Sequence, residues 1–186
     1  MKHTETKNLT LAAMFFAIGL VLPFLTGQIP QIGGMLLPMH IPVFLCGLVC
    51  GWKYGGLVGL VLPITRSLIF TMPPLIPIAL AMTFELAVYG LVVGLIYGLS
   101  RWKCLLALYR AMAVAMVAGR IAWGTAMVII LGVGGGAFTW AAFVAGAFVN
   151  ALPGIILQLV LIPAIMVVLG RTGLVPFHKH RQAKAD

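Results

Sequence analysis

The chain has 186 residues, of which 62% are hydrophobic and 8% charged, and its mean hydropathy is +1.15. A soluble domain carries about 25% charged residues, so this composition excludes a soluble globular protein. The net charge of +9 comes from Lys and Arg residues that lie between apolar segments rather than in one cluster. This distribution is typical of membrane topology signals. It argues against nucleic-acid binding, which needs a gathered basic surface.

Apolar segments divide the chain into six predicted membrane helices of a single membrane domain, residues 1–186. A helix needs about 20 apolar residues to cross a hydrocarbon core of about 30 Å. No clear small-residue cleavage site ends the first segment, so we interpret it as a retained helix rather than a signal peptide. The second segment is short and is expected to be tilted or partly re-entrant. The predicted helices cover about residues 9–26, 39–51, 54–70, 75–99, 104–133 and 140–169.

Basic residues at the ends of these segments predict the orientation. Lys53 lies between helices 2 and 3, Arg101 and Lys103 lie between helices 4 and 5, and the others flank the first and last helices. The three remaining connections contain no Lys or Arg: residues 27–38, 71–74 and 134–139. Since cytoplasmic loops carry the excess of Lys and Arg, both termini are expected in the cytoplasm and these three loops outside.

Polar residues inside apolar segments indicate a candidate site. At a rise of about 1.5 Å per residue, Glu85 and Asn150 lie about 15 Å from the predicted outer ends of their helices, and Arg120 about 20 Å. These three are expected to share a layer, in which an ion pair between Glu85 and Arg120 offsets the cost of burying each charge. Arg66 lies about 6 Å from the outer end of helix 3, and His40 at the outer mouth of helix 2. The layer is either a polar ligand pocket open to the outside or an ion pair that only fixes helix packing.

Two aromatic residues add to the pocket interpretation. Tyr89 follows Glu85 by four residues and Trp123 follows Arg120 by three, so each shares a helix face with its charged neighbour. A flat, partly polar ligand suits such walls, although ordinary packing explains either aromatic equally well. The candidate ligand-binding residues are therefore His40, Arg66, Glu85, Tyr89, Arg120, Trp123 and Asn150.

Small residues spaced by four predict close helix contacts, which drive association where lipid removes the usual hydrophobic force. Gly90, Gly94 and Gly98 follow one face of helix 4, where packing within the chain is the simpler explanation. Ala13 and Ala17 form an AxxxA pattern on helix 1. There, docking of a partner protein competes with internal packing.

Motifs of enzymatic chemistry are missing from the sequence. It contains no GxxxxGK[ST], HExxH or GxSxG, and its three cysteines form no CxxC pair. A hydrolase or a proton relay also needs more than the single carboxylate that lies deep in an apolar segment. We therefore expect no catalytic residue, no cofactor and no metal site.

Short segments in a particular order carry a family resemblance. They are Ala13-Met-Phe-Phe-Ala17, Leu37-Pro-Met-His-Ile-Pro42, Gly51-Trp-Lys-Tyr-Gly55, Met72-Pro-Pro74, Phe84-Glu-Leu-Ala87 with Tyr89-Gly90, Asn150 with Pro153-Gly154, and Leu161-Ile-Pro163. In this order, and in a chain of this length, they resemble the substrate-binding S components of energy-coupling factor (ECF) vitamin transporters.

The resemblance implies a high-affinity vitamin-binding subunit in the bacterial plasma membrane. The pocket is then near the extracellular side and is covered by loops 27–38 and 71–74. The small residues Ala13 and Ala17 are implied to dock on a membrane-embedded T component. Two cytoplasmic ATPase subunits are implied to hydrolyse ATP, so this chain itself is not an enzyme.

Pantothenate is the first expectation for the ligand. Its carboxylate suits the forked donors of Arg66 or Arg120, and its amide and hydroxyl groups suit Glu85 and Asn150. Riboflavin, pyridoxine, hydroxymethylpyrimidine, thiamine and folate are alternatives. A neutral ring compound becomes the better candidate if Glu85 already neutralises Arg120.

A standalone channel or facilitator for small solutes is the alternative function. It requires a polar path that continues to the cytoplasmic side. The inner halves of helices 4 and 6 offer little polar lining beyond Gln158.

Overall fold

A computed structural model of the chain describes residues 2–26, 35–133 and 139–172, and seven α-helices form the fold of that part. The helices are α1 (Lys2–Val21), α2 (His40–Cys50), α3 (Trp52–Phe70), α4 (Leu80–Leu99), α5 (Leu105–Val133), α6 (Trp140–Val144) and α7 (Leu152–Arg171). Single turns of other helix types adjoin three of them: a 3₁₀ turn at Leu22–Thr26, and π turns at Leu75–Ala79 and Ala145–Val149. Most of the predicted loop 27–38, the glycines 134–136 and the basic tail after residue 172 lie outside the described residues.

Within the described ranges, four helical segments are long and apolar enough to cross a membrane: Glu5–Phe24, Leu75–Leu99, Leu105–Val133 and Leu152–Arg171. The helix α2 is also apolar but has 11 residues, a length of about 16 Å, so it cannot cross a hydrocarbon core alone. Nearly all its side chains are buried, as expected of a helix that is apolar on every side. The total of six spans and the cytoplasmic position of both ends stay predictions.

The helix α4 lies at the centre and packs against α2, α3 and α5. Glycines let the backbones touch: a Cβ atom on Gly90 would lie 2.1 Å from the carbonyl oxygen of Gly55, and one on Gly59 would lie 2.2 Å from that of Leu86. The predicted glycine face of helix 4 therefore packs within the chain at Gly90. It does not extend to Gly98, where an added Cβ would meet nothing within 4 Å.

The helix predicted over residues 140–169 is interrupted. The backbone N–H of Asn150 reaches back five residues to the carbonyl oxygen of Ala145, at 2.9 Å, which closes a π turn, and a regular helix begins again at Leu152. Pro153 explains the interruption, since it has no N–H to donate and its ring clashes with the preceding turn. Hydrophobicity alone does not mark such a break because both pieces are apolar.

Prolines also shift the ends of two other helices. Ile76, the residue before Pro77, has extended dihedral angles (φ −118°, ψ 129°), so the regular part of α4 begins at Leu80 rather than at the predicted residue 75. The helix α1 begins at Lys2, earlier than predicted, and gives way to the 3₁₀ turn just before Pro23.

Candidate ligand-binding site

A buried polar cluster lies where α2, α4 and α5 meet. Nη1 of Arg120, on α5, lies 2.9 Å from Oε1 of Glu85, on α4, and Nε2 of His40, on α2, lies 3.5 Å from the same oxygen. Arg120 is 6% exposed, Glu85 1% and His40 0%. A charge removed from water is tolerated when it is paired, so these contacts join the three helices at one point.

Tyr89 forms one wall of the cluster. It lies one helical turn after Glu85, on the same face of α4. Its ring centroid lies 5.3 Å from that of His40 and 4.9 Å from that of Phe44. Gly119 makes room for this ring, because a Cβ atom there would lie 2.4 Å from it. The missing side chain at Gly119 lets Tyr89 lie directly on the backbone of α5.

Several buried nitrogen atoms of the cluster have no hydrogen-bond partner in the described part of the chain: Nε and Nη2 of Arg120, and Nδ1 and Nε2 of His40. Oε1 of Glu85 also has no hydrogen-bond partner among the described residues, so its contact with Arg120 is one of opposite charges rather than a hydrogen bond. Leaving a buried donor unpaired costs about 1–3 kcal/mol, and more for a charged group. Native proteins tolerate such atoms mainly where another partner completes the site.

Arg66 has different neighbours. Its Nη1 donates a hydrogen bond to the carbonyl oxygen of Leu20, near the end of α1. Its guanidinium carbon lies 5.1 Å from the ring centroid of Phe24 and 5.3 Å from that of Phe70. The contacts with Leu20 and Phe24 join α3 to the end of α1 and the turn after it, and the structure does not bring Arg66 together with Glu85 and Arg120.

Asn150 and Trp123 also lie outside the buried cluster. Asn150 is exposed in the turn between α6 and α7, because the helix predicted to carry it is interrupted there. Trp123 is half-buried, and its ring centroid lies 6.2 Å from that of Phe143 on α6. Of the three residues expected in one layer, the buried cluster therefore contains Glu85 and Arg120.

The AxxxA residues of α1 face away from the helix bundle. Ala13 and Ala17 are exposed, whereas Ala12 and Phe15 are buried. On the buried face, a Cβ atom on Gly19 would lie 2.5 Å from the side chain of Leu62 on α3. Close packing within the chain thus uses Gly19, and the Ala13–Ala17 face remains on the surface.

Three features of this region are missed by sequence reasoning. His40 is recognised as a polar residue at the mouth of helix 2, but its pairing with Glu85 is not foreseen. Gly119 is overlooked, although a glycine next to a deeply placed arginine is a usable signal. Gln158 is noted only as a possible channel residue, yet it is 1% exposed on α7 and its Nε2 has no hydrogen-bond partner within the described ranges.

The family model of the substrate-specific component of ECF transporters matches residues 7–166, a range that includes the whole cluster. The chain belongs to this family. This confirms the resemblance seen in the sequence, and the fold is that of a helical, membrane-embedded transporter subunit. No curated protein and no solved structure matches the chain significantly.

As an S component, the chain is a substrate-binding subunit of a transporter rather than an enzyme. Membership implies a small-molecule substrate and, in general terms, T and ATPase partner subunits. The substrate itself is not determined by the match.

Proposed function

We propose that this S component binds a vitamin or related micronutrient at the cluster of His40, Glu85, Tyr89 and Arg120 and delivers it to an ECF importer. The observation that carries the proposal is the set of buried donors on Arg120 and His40 that have no partner among the described residues. Polar groups at membrane depth are costly and mark substrate pathways. A polar ligand supplies the missing acceptors and offsets the cost of burying these donors.

The proposal includes the orientation and the partners. Lys53, Arg101 and Lys103 lie in the connections between α2 and α3 and between α4 and α5, which supports a cytoplasmic location for that side and for both termini. The pocket then opens to the outside of a bacterial plasma membrane. The exposed Ala13 and Ala17 on α1 give a T component a surface on which another helix can approach closely. Two cytoplasmic ATPases supply the energy.

The vitamin candidates are pantothenate, riboflavin, pyridoxine, hydroxymethylpyrimidine, thiamine and folate. Two arginines were the reason to place pantothenate first. The contacts of Arg66 with Leu20 and with two aromatic rings weaken that reason, and the position of Glu85 against Arg120 weakens it further.

The test is native mass spectrometry of the full chain purified from cells grown in rich medium. We expect a co-purified vitamin, identified by mass after release. The variant Arg120→Lys keeps a positive charge but loses the planar fork, and we expect it to lose the ligand. Arg110→Lys is the matched control, since Arg110 is exposed on the same helix, and it should retain the ligand.

Two results would contradict the proposed function. One is that the purified chain carries no vitamin and binds none of the six when they are added. The other is that liposomes containing this chain alone conduct small solutes, which would favour the channel or facilitator instead.

A further inference from the structure

Only part of the Arg120 guanidinium has a polar partner in the described part of the chain. It is planar and carries five N–H groups, and its Nη1 faces the Glu85 carboxylate at 2.9 Å. The other edge consists of Nε and Nη2, whose N–H groups point in nearly the same direction. Both atoms are buried and have no hydrogen-bond partner among residues 2–26, 35–133 and 139–172. Arg120 therefore offers two parallel donors on the side away from Glu85.

Charge limits what this edge can hold. The pair of Glu85 and Arg120 has no net charge, and His40 adds a positive charge only when it binds a proton. Arg66 does not contribute, because its guanidinium is bound to the carbonyl oxygen of Leu20 between two rings. A carboxylate on the free edge would place a second negative charge on a guanidinium that Glu85 already neutralises. In a buried site such an extra charge is strongly unfavourable.

An uncharged ring meets the same donors without this penalty. Arginine forks pair well with a ring carbonyl oxygen next to a ring nitrogen, as they do with the edge of guanine. Tyr89 and Phe44, whose buried rings are 4.9 Å apart, make the surroundings of the cluster aromatic.

We propose that the ligand is an uncharged heterocycle, held through acceptor atoms by the Nε and Nη2 edge of Arg120, and not an anion held through a carboxylate. This rests on the proposed function, namely that a vitamin binds at this cluster. Among the candidates, riboflavin presents a ring carbonyl beside a ring nitrogen and fits best. Pyridoxine and hydroxymethylpyrimidine are also uncharged overall at neutral pH. Pantothenate, folate and thiamine carry a net charge.

The first test uses the full chain, stripped of ligand and placed in lipid nanodiscs, with the six vitamins as probes in isothermal titration calorimetry at neutral pH. We expect the tightest binder to be riboflavin, pyridoxine or hydroxymethylpyrimidine, with an affinity at least about a hundredfold above that for pantothenate, the size expected when a like charge is placed at an interface. If pantothenate, folate or thiamine binds most tightly, the inference is wrong while the proposed function stands. If none of the six binds, the proposed function itself fails.

The second test changes the charge but keeps the shape. Glu85→Gln removes the negative charge beside Arg120, so pantothenate should bind at least about tenfold more tightly to this variant than to the wild type. The ring ligand should bind no more tightly to it than to the wild type. An unchanged pantothenate affinity in folded Glu85→Gln would show that charge balance does not exclude the anion. Thermal unfolding identifies variants that do not fold, in which case the wild-type panel decides alone.

Discussion

Replacing Arg66 with alanine removes a hydrogen bond to Leu20 and a ring contact with Phe24, which join α3 to the end of α1 and the turn after it, and a ring contact with Phe70 within α3. A hydrogen bond from a charged donor contributes about 1.5–3 kcal/mol, and each contact of a cation with an aromatic ring about 0.5–1 kcal/mol. Because Arg66 is 2% exposed, solvent does little to screen these contacts. We expect the free energy of unfolding to fall by about 2.5–5 kcal/mol and the midpoint of thermal unfolding to fall by about 5–20 °C.

Differential scanning fluorimetry of the purified chain in detergent measures this change. Arg66→Lys keeps the charge and a donor but loses the planar group, so its midpoint should lie between those of the wild type and Arg66→Ala. Arg110→Ala, at an exposed position, is the control and should change the free energy of unfolding by less than about 0.5 kcal/mol. The affinity of folded Arg66→Ala for the co-purified vitamin should stay within about threefold of the wild type, a difference of less than 1 kcal/mol. Lost binding with an unchanged midpoint would refute this reasoning and make Arg66 a ligand contact, as the sequence suggested.

Three further predictions test packing, docking and orientation. Gly90→Ala should lower the free energy of unfolding by about 1–3 kcal/mol, because the added Cβ atom has no space. Gly98→Ala, the control, should not lower it. Equal midpoints of thermal unfolding for the two variants would contradict the observed packing. Ala13→Trp should leave vitamin binding intact but stop vitamin uptake into cells that also produce the T and ATPase subunits. Ala12→Trp, at the buried neighbouring position, should instead destabilise the chain. Uptake that survives Ala13→Trp would exclude docking at this face. Cys104 lies in the connection before α5, and the other two cysteines are buried, so a membrane-impermeant maleimide should label inverted vesicles and not intact cells. Labelling of intact cells would reverse the predicted orientation.

Composition and hydropathy were sufficient to predict the helical membrane class, because long apolar segments cross lipid as helices, which pair their backbone groups within the segment. The ion pair of Glu85 and Arg120 was also predictable, since two opposite charges at similar depth are costly apart. The depth of a residue follows from counting along its helix. Its direction around the helix does not.

That missing direction explains what sequence reasoning could not find. In water an amphipathic pattern shows which face of a helix is buried, but in lipid the outer face is as apolar as the inner one. The sequence therefore could not show that Arg66 turns toward Leu20 or that His40 turns toward Glu85. Asn150 was misplaced for another reason: the effect of Pro153 on the backbone is local and leaves the hydrophobic pattern unchanged.

The interruption at Asn150 leads to an expectation for where the bilayer boundary falls. The helix α7 has 20 residues and a length of about 30 Å, which alone matches the hydrocarbon thickness. Backbone carbonyls freed by the break would be costly among acyl chains, so we expect the break to lie near the lipid headgroups. On α5, Gly124 packs against Phe143 of α6, so we expect it near the same level. Arg120 is four residues from Gly124, about 6 Å along α5, so with the boundary at this level a solute arriving from that side would reach it without crossing the apolar middle of the bilayer.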